Sequence, residues 1–336
     1  MKTVKMGGKI VGEGAPTFMI AEAGLNHNGK LELAKKLVRK AAEVEADAVK
    51  FQTFVTEEFV SKNDKPMYKL FKKLELSFSD FQELSDLSKD VGIMFLSTPL
   101  DFKTVNFLEK LDVPAFKIAS GDLTNHPFLE YIAKKNKPVI LSTGMATLEE
   151  VEEAVNLINS TGNNKLVLLH CVSTYPAPFE DANLRAICTL KQAFHVPVGF
   201  SDHTLNTLTP VAAVAIGASM IEKHFTLSKK LAGPDHRCSF DVNEFGKMVE
   251  SIRQVEKMLG SSVKKPVKSE IAILKLARRS LVAKKKIHKG TRITEEMLAF
   301  KRPGDGISPT RKNIVIGRTA KVDIGRDELI TLDKLN

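Results

Sequence analysis

Eight short apolar segments rich in β-branched or aromatic residues recur down the first 230 or so residues: FMIAEAG, AVKFQTF, IMFLSTP, AFKIASG, PVILSTG, LVLLHCV, PVGFSD and MIEKHFT. Such near-continuous apolar runs read as strands buried on both faces. Segments of helical period separate them, such as Leu33, Leu37, Ala41 and Val44, or Leu148, Val151, Val155 and Ile158 behind a Thr147/Glu150 capping box. Each parallel strand needs a crossover connection, and eight strand–helix units close into a barrel of about 250 residues. The expected fold is therefore α/β, a (β/α)8 TIM barrel. An open doubly wound sheet is the rival, but no GxGxxG follows the first strand.

The second strand-to-helix connection is long, running from Thr56 to Phe78 before a Ser79/Gln82 pair that reads as the next helix start. Long loops at the top of a barrel often close over substrate. The last barrel helix, with Phe245, Met248, Ile252, Val255 and Leu259 on one face, stops at Gly260. The domains expected are a barrel over 1–262, a lysine-rich linker over 263–276 and a small β-rich domain over 277–336. The last contains the β-like runs RSLVAKK, IVIGRTA and ELITL.

The chain of 336 residues carries a net charge of +10, which raises the question of a nucleic-acid partner. Residues 1–262 hold 31 Lys and Arg against 32 Asp and Glu, whereas 263–336 hold 19 against 8. The whole excess is C-terminal, and that segment has neither a recognition helix nor stacking aromatics, so no nucleic acid is expected as a partner. No apolar run is long enough to span a membrane. The three cysteines, Cys171, Cys188 and Cys238, show no CxxC spacing, and an unpaired set suits a reducing cytoplasm.

Catalytic groups of a (β/α)8 barrel project from the C-terminal strand ends. Every expected strand here ends in polar residues: Glu22; Lys50 and Gln52; Ser97 and Thr98; Lys117 and Ser120; Ser142 and Thr143; His170 and Ser173; Ser201, Asp202 and His203; Glu222, Lys223 and His224. Alternation must send some of them to the outer face. Lys50 in Val-Lys-Phe and Lys117 in Phe-Lys-Ile are awkward as core residues, and with the serines they suit a pocket for a phosphate and a carboxylate. His203 and His224 end adjacent strands and fit a divalent cation, Mn²⁺ or a similar ion such as Mg²⁺ or Co²⁺, rather than structural zinc. Glu22 is the carboxylate of choice for proton transfer, its alternative being a plain salt bridge to Lys50.

The segments IAEAGLNHNG, KFQ, KIASGD, LSTGM, HCVSTYPAP, FSDHT, EKHFT and GPDH, in this order, resemble the sialic acid synthase family. SLVAKKKIHKG and KRPGDGI resemble its C-terminal antifreeze-like (SAF) domain. The resemblance implies a transferase that condenses phosphoenolpyruvate with N-acetylmannosamine or a related N-acylated hexose and releases phosphate by C–O cleavage. Lys50, Lys117, Ser120, Ser142, Ser173 and Ser201 would bind phosphoenolpyruvate, with Glu22, Lys50 and Lys117 catalytic. His203 and His224 would hold the metal. Gln52, Asp122, Tyr175 and Asp235 would contact the sugar, joined by Arg302 from the other protomer of a domain-swapped homodimer. Asp122 stands where the family often has glutamate, and Ser173 where N-acetylneuraminate enzymes carry asparagine. A 2,4-diacetamido-2,4,6-trideoxyhexose, as in legionaminate or pseudaminate synthesis, is the alternative substrate. Rival readings are a Schiff-base aldolase, a synthase acting on another aldose, and a non-catalytic carbohydrate-binding protein.

Overall fold

All eight apolar segments form parallel strands in the computed structural model, which describes residues 3–336. A short antiparallel hairpin, β1 (Val4–Met6) and β2 (Lys9–Val11), precedes them. The strands are β3 (Phe18–Gly24), β4 (Ala48–Thr53), β5 (Met94–Pro99), β6 (Phe116–Ile118), β7 (Val139–Ser142), β8 (Leu166–Cys171), β9 (Val198–Asp202) and β10 (Met220–His224). Ladders join β3 to β4 to β5, and β6 through β10 in sequence, while β10 pairs back onto β3. β5 and β6 lie side by side without a recorded ladder, so the barrel is nearly closed.

The period-two alternation of a strand sorts every residue to one of two environments. Met19, Ala21, Val49, Phe51, Phe95, Phe116, Ile118, Leu141, Leu168, Phe200 and Ile221 face outward into the layer shared with the helices. Phe18, Ile20, Ala48, Leu96, Ala115, Ile140, Val167, Leu169 and Met220 fill the barrel interior, and Val4, Met6 and Val11 of the hairpin pack with them as a floor. Continuing the inward parity toward the C-terminal ends reaches Glu22, Lys50, Gln52, Thr98, Lys117, Ser142, Cys171, Ser201, Glu222 and His224. The barrel is thus apolar below and polar at its mouth.

Several local expectations are corrected. The helix after the long connection is Phe78–Asp90, capped by Ser77 with Asp80 in a reciprocal capping box, not by Ser79 with Gln82; the Asp80 carboxylate accepts the Ser77 N–H at 2.9 Å. The Thr147/Glu150 box forms as expected. The long connection holds two short helices, Thr56–Phe59 and Lys65–Leu74. Gly260 ends the last barrel helix at φ 51° but ψ −130°, outside the left-handed helical basin.

The structure divides into two units, one ending at Gly260 and one spanning Ser261–Asn336. Part of the stretch expected as linker is helical, Glu270–Ala277. Of the three β-like runs only the first becomes a strand, β11 (Ser280–Ala283), and its partner is β12 (Leu298–Lys301), which those runs did not include. The other two supply isolated bridges, such as Val282 with Leu329 and Arg292 with Thr319. A core of Leu281, Ala283, Ile287, Ile293, Val315, Ile324 and Ile330 holds this unit together. Among the described residues no helix is long and apolar enough to cross a membrane.

Candidate active site

The mouth of the barrel is a cavity of about 370 Å³ lined by Glu22, Lys50, Gln52, Lys117, Ser120, Ser142, Ser173, Tyr175, Ser201, His203, Glu222 and His224, among others. Most residues singled out in the sequence therefore meet in one place. At its centre are four buried charges. The Nζ of Lys50 lies 2.6 Å from Glu22 Oε2 and 3.7 Å from Glu222 Oε2, and that of Lys117 lies 3.5 Å from Glu222 Oε1. Thr98 Oγ1 accepts a further hydrogen bond from Lys50 at 3.0 Å, and Gln52 donates to Glu22 Oε1 at 3.2 Å. The two readings of Glu22 thus hold together: it is ion-paired with Lys50 and it faces the cavity.

Burial and neighbouring charge drive these groups apart. Burial raises the Glu22 carboxyl, opposed by Lys50 and reinforced by Glu222. Burial would also raise Glu222, but Lys117 and Lys50 outweigh it and hold that carboxyl below its usual range. Lys117 is lowered by burial, which Glu222 only partly offsets and to which the charge of Lys50 adds. Burial would lower Lys50 too, yet Glu22 and Glu222 turn the net shift upward. The two carboxyl groups hold both lysines in place before substrate arrives, so an incoming anion meets cations already positioned.

Serines complete the polar wall. Ser120 Oγ accepts the Gly144 N–H at 3.0 Å, and Ser201 Oγ donates to Glu222 at 3.2 Å. Ser142 Oγ is buried without a hydrogen-bond partner in the structure, a donor left over for a ligand. Gly144 has no room for a side chain: a Cβ there would sit 2.3 Å from Ser173 Oγ and 2.8 Å from Ser120 Oγ. The opposite wall is apolar. Phe59 and Phe71, from the two short helices of the long connection, meet edge to face at 5.1 Å and are backed by Phe54, Leu25 and Leu74.

The His203 and His224 rings lie 5.4 Å apart between centroids, with the Tyr175 ring 4.1 Å from His203 and edge-on to His224 at 5.7 Å. Nδ1 of His203 is 2.7 Å from the Val172 carbonyl; donating there leaves Nε2 free. Burial, then the charges of His203 and Lys50, push His224 well below its ordinary value, and its buried Nδ1 has no hydrogen-bond partner. Burial would lower His203 as well, but Cys171, its sulfur 3.9 Å away, tips the net shift upward. Two imidazole nitrogens without a hydrogen-bond partner in the protein fit a divalent cation whose other positions would belong to water or substrate oxygen. Among the described residues no group of three or more His, Cys, Asp or Glu is placed to hold a metal.

The remaining expectations are placed as follows. Asp235 Oδ2 lies 4.0 Å from His224 Nδ1, at the rim rather than on the cavity wall, and burial raises its carboxyl. Asp122 ends a short 3-10 turn, accepts from Asn125 at 3.1 Å and does not line the cavity. Arg302 belongs to the second unit, where its Nε donates to Ala277 O at 3.0 Å. His170, Ser97, Asp202 and Lys223 face away: His170 Nε2 is 2.8 Å from Ala182 O, and Ser97 pairs with Thr53. Glu222 was named among the strand ends but given no role; since His224 faces inward, period two places Glu222 inward as well. Phe59 and Phe71 carried no such signal.

Next to the site, the loop after β3 is held by Gly29, at φ 70°, where a Cβ would approach Lys73 O to 2.2 Å. His27 in this loop is 1% exposed; its Nδ1 accepts the Gly29 N–H, and burial lowers its pKa to about 4. Between pH 6.5 and 4 the unfolded chain binds a proton that the folded chain refuses, so stability present above pH 6.5 is lost as pH falls. The shift corresponds to about 3 kcal/mol. Denaturant unfolding across this window should show a drop of that order, and His27→Gln should remove it.

The NeuB family model matches residues 37–264, and the SAF domain model matches 278–336. An uncharacterized protein of Methanocaldococcus jannaschii is 53% identical over 335 residues, 100% of this chain and 99% of that one. The N,N'-diacetyllegionaminic acid synthase of Campylobacter jejuni is 46% identical, with 94% of this chain and 98% of the relative covered. Among solved structures, the N-acetylneuraminic acid (sialic acid) synthetase of Leptospira borgpetersenii, in complex with citrate, superposes with a TM-score of 0.78 at 38% identity, over 81% of this chain and 95% of that one. An eight-stranded barrel with lysines, carboxylates, serines and paired histidines at its mouth, followed by a SAF domain, thus has matching relatives along its length, and the chain belongs to the NeuB family of sialic acid synthases.

Proposed function

We propose that this enzyme condenses phosphoenolpyruvate with the open-chain form of an N-acylated hexosamine to give a nonulosonic acid and phosphate. The observation that carries the reading is the buried quartet of Glu22, Lys50, Lys117 and Glu222, ringed by Ser120, Ser142, Ser173 and Ser201 and adjoining two free imidazole nitrogens. Lys50, Lys117 and the serines bind the phosphate and carboxylate. C3 of phosphoenolpyruvate forms a bond to the aldehyde carbon, and Glu22, the carboxyl pushed upward, gives the aldehyde oxygen its proton. Water adds at the C2 centre left electron-deficient by that bond, losing one proton toward ionised Glu222; the resulting hydroxyl gives its second proton to the departing phosphate as the C2–O bond to phosphate breaks and the C2 carbonyl forms. His203 and His224 would hold a divalent cation, Mn²⁺ by preference with Mg²⁺ or Co²⁺ as alternatives, which would supply Lewis acidity to the aldehyde.

For the sugar, the 46% identity to an enzyme named for diacetyllegionaminic acid favours 2,4-diacetamido-2,4,6-trideoxymannose over N-acetylmannosamine. The Phe59–Phe71 wall supports this, because a methyl group tolerates such a surface and a hydroxyl without a partner does not. Tyr175 and Gln52, which line the cavity, and Asp235, 4.0 Å from His224 Nδ1, would contact the sugar. Asp122, off the cavity wall, would act on its loop instead. The second unit would exchange between protomers of a homodimer, bringing Arg302 of one to the sugar held by the other; a monomeric mass in sedimentation at micromolar concentration would remove that part. Phosphate release from phosphoenolpyruvate with Mn²⁺ and each sugar in turn, with product masses, tests the whole. Turnover with neither sugar would sink it. The lowered Lys117 also suits imine formation; borohydride with pyruvate should leave it unmodified.

A further inference from the structure

We infer that the ion pair of Asp202 and Lys223, on the outer face of the barrel, is a positioning device that holds the strand ends carrying Ser201, His203, Glu222 and His224. The inference rests on the function proposed for those four residues. On β9 and its continuation, Asp202 alternates with Ser201 and His203; on β10, Lys223 alternates with Glu222 and His224. Lys223 and Asp202 are also direct register partners, as are Glu222 and Ser201. The four groups that face the cavity therefore flank, on both strands, the two that face away.

The contacts of the pair reach beyond the strands. Lys223 Nζ lies 2.7 Å from Asp202 Oδ2 and donates to the carbonyl of Thr204, the residue after His203. Asp202 Oδ1 accepts the Thr204 N–H at 2.9 Å, and Oδ2 accepts the Thr204 hydroxyl at 3.2 Å. The backbone immediately after His203, at Thr204, is thus tied to one carboxylate and one ammonium group. Lys223 Nζ also sits 4.3 Å above the Phe240 ring, and the Phe240 N–H donates to the His224 carbonyl at 2.8 Å. Both histidine-bearing segments are fastened from behind.

Stability alone does not call for charges here. Both side chains are fully buried, and a buried ion pair gains little over well-packed apolar groups of the same size. The equivalent outward positions beside the other cavity lysines are apolar: Val49 and Phe51 flank Lys50, and Phe116 and Ile118 flank Lys117. What the pair adds is direction, since hydrogen bonds fix the turn after His203 where apolar contacts would leave it free to shift.

The test replaces the pair by apolar groups in the full chain, Asp202→Leu with Lys223→Met, and measures melting temperature, the Kd for Mn²⁺ and the Kd for phosphoenolpyruvate. The expected result is a melting temperature within a few degrees of the parent, with both dissociation constants weakened about 10-fold or more. Should this variant fail to fold, Asp202→Asn with Lys223→Met serves in its place under the same criterion. Asp202→Asn alone keeps an oxygen for Thr204 and should retain more affinity than either double variant. A folded double variant with both constants within twofold of the parent overturns the inference. If the parent binds phosphoenolpyruvate but not Mn²⁺, the metal role of the histidines falls and the phosphoenolpyruvate arm decides alone. A parent that binds neither removes the reading of the site and this inference with it.

Discussion

Lys117→Met is expected to lower kcat/KM for phosphoenolpyruvate by about 10³-fold or more, the scale of losing a preorganised charge at a reacting group. Lys117 faces the cavity from β6 with its ammonium 3.5 Å from Glu222. Its removal does two things at once. The anionic substrate loses one of two buried cations, and Glu222 loses the first of the charges that hold it ionised, keeping Lys50 at 3.7 Å, His203 and the Ser201 hydroxyl. The Glu222 carboxyl should then move upward, so the residual rate should climb with pH across a range in which the parent is flat. Unpairing a buried carboxylate costs up to about 3–5 kcal/mol when nothing replaces the partner, and the remaining contacts place this variant at the lower end. Steady-state phosphate release at several pH values, with melting temperature as the check on folding, gives the answer. Parent-like kcat/KM would remove Lys117 from the machinery.

His224→Ala is expected to weaken Mn²⁺ binding by about 10²-fold and to cut turnover at limiting metal in proportion. Displacing groups behind a ligand already costs about 10–100-fold, and this change deletes a ligand outright. The buried, neutral ring with an unpartnered Nδ1 has no structural bond to lose, so the fold should tolerate its truncation. His203→Ala should behave similarly but with a larger loss of stability, because that ring also donates to Val172. Metal titration monitored by electron paramagnetic resonance, alongside phosphate release in chelated and metal-supplemented buffer, separates binding from chemistry. Full activity of both variants in chelated buffer would exclude a metal at this position.

The barrel was legible because buried parallel strands leave apolar runs of a length that helices of this size do not share. The site was legible wherever one inward residue could be recognised, since parity then assigns its neighbours two positions away. Lys50 and Lys117 stood out as charges inside apolar runs. Glu222 was passed over because the triplet Glu-Lys-His offers three polar side chains and only one parity can face the cavity; the inward His224 already determined which. Asp202 and Lys223 share the outward parity, so the same argument separates them from the site. The aromatic wall was not legible, because Phe59 and Phe71 sit on short helices of a long connection whose folding over the mouth depends on tertiary contacts to Leu25, Phe54 and Leu74. The small unit was legible only as β-rich. Its isolated bridges are too short to leave a period, and the partner of β11 came from Leu298–Lys301 rather than from the more apolar Ile314–Ile316.

The hairpin floor has a consequence for the order in which the molecule can be assembled. Val4, Met6 and Val11 close the underside by joining one apolar cluster with residues that the ribosome adds much later, Leu169 and Met220 among them. A growing chain therefore carries its stopper exposed until the eighth strand has emerged, and seating it is a long-range event with a large loop-closure cost. Cargo fused ahead of residue 4 burdens that last event, whereas cargo fused after residue 336 does not.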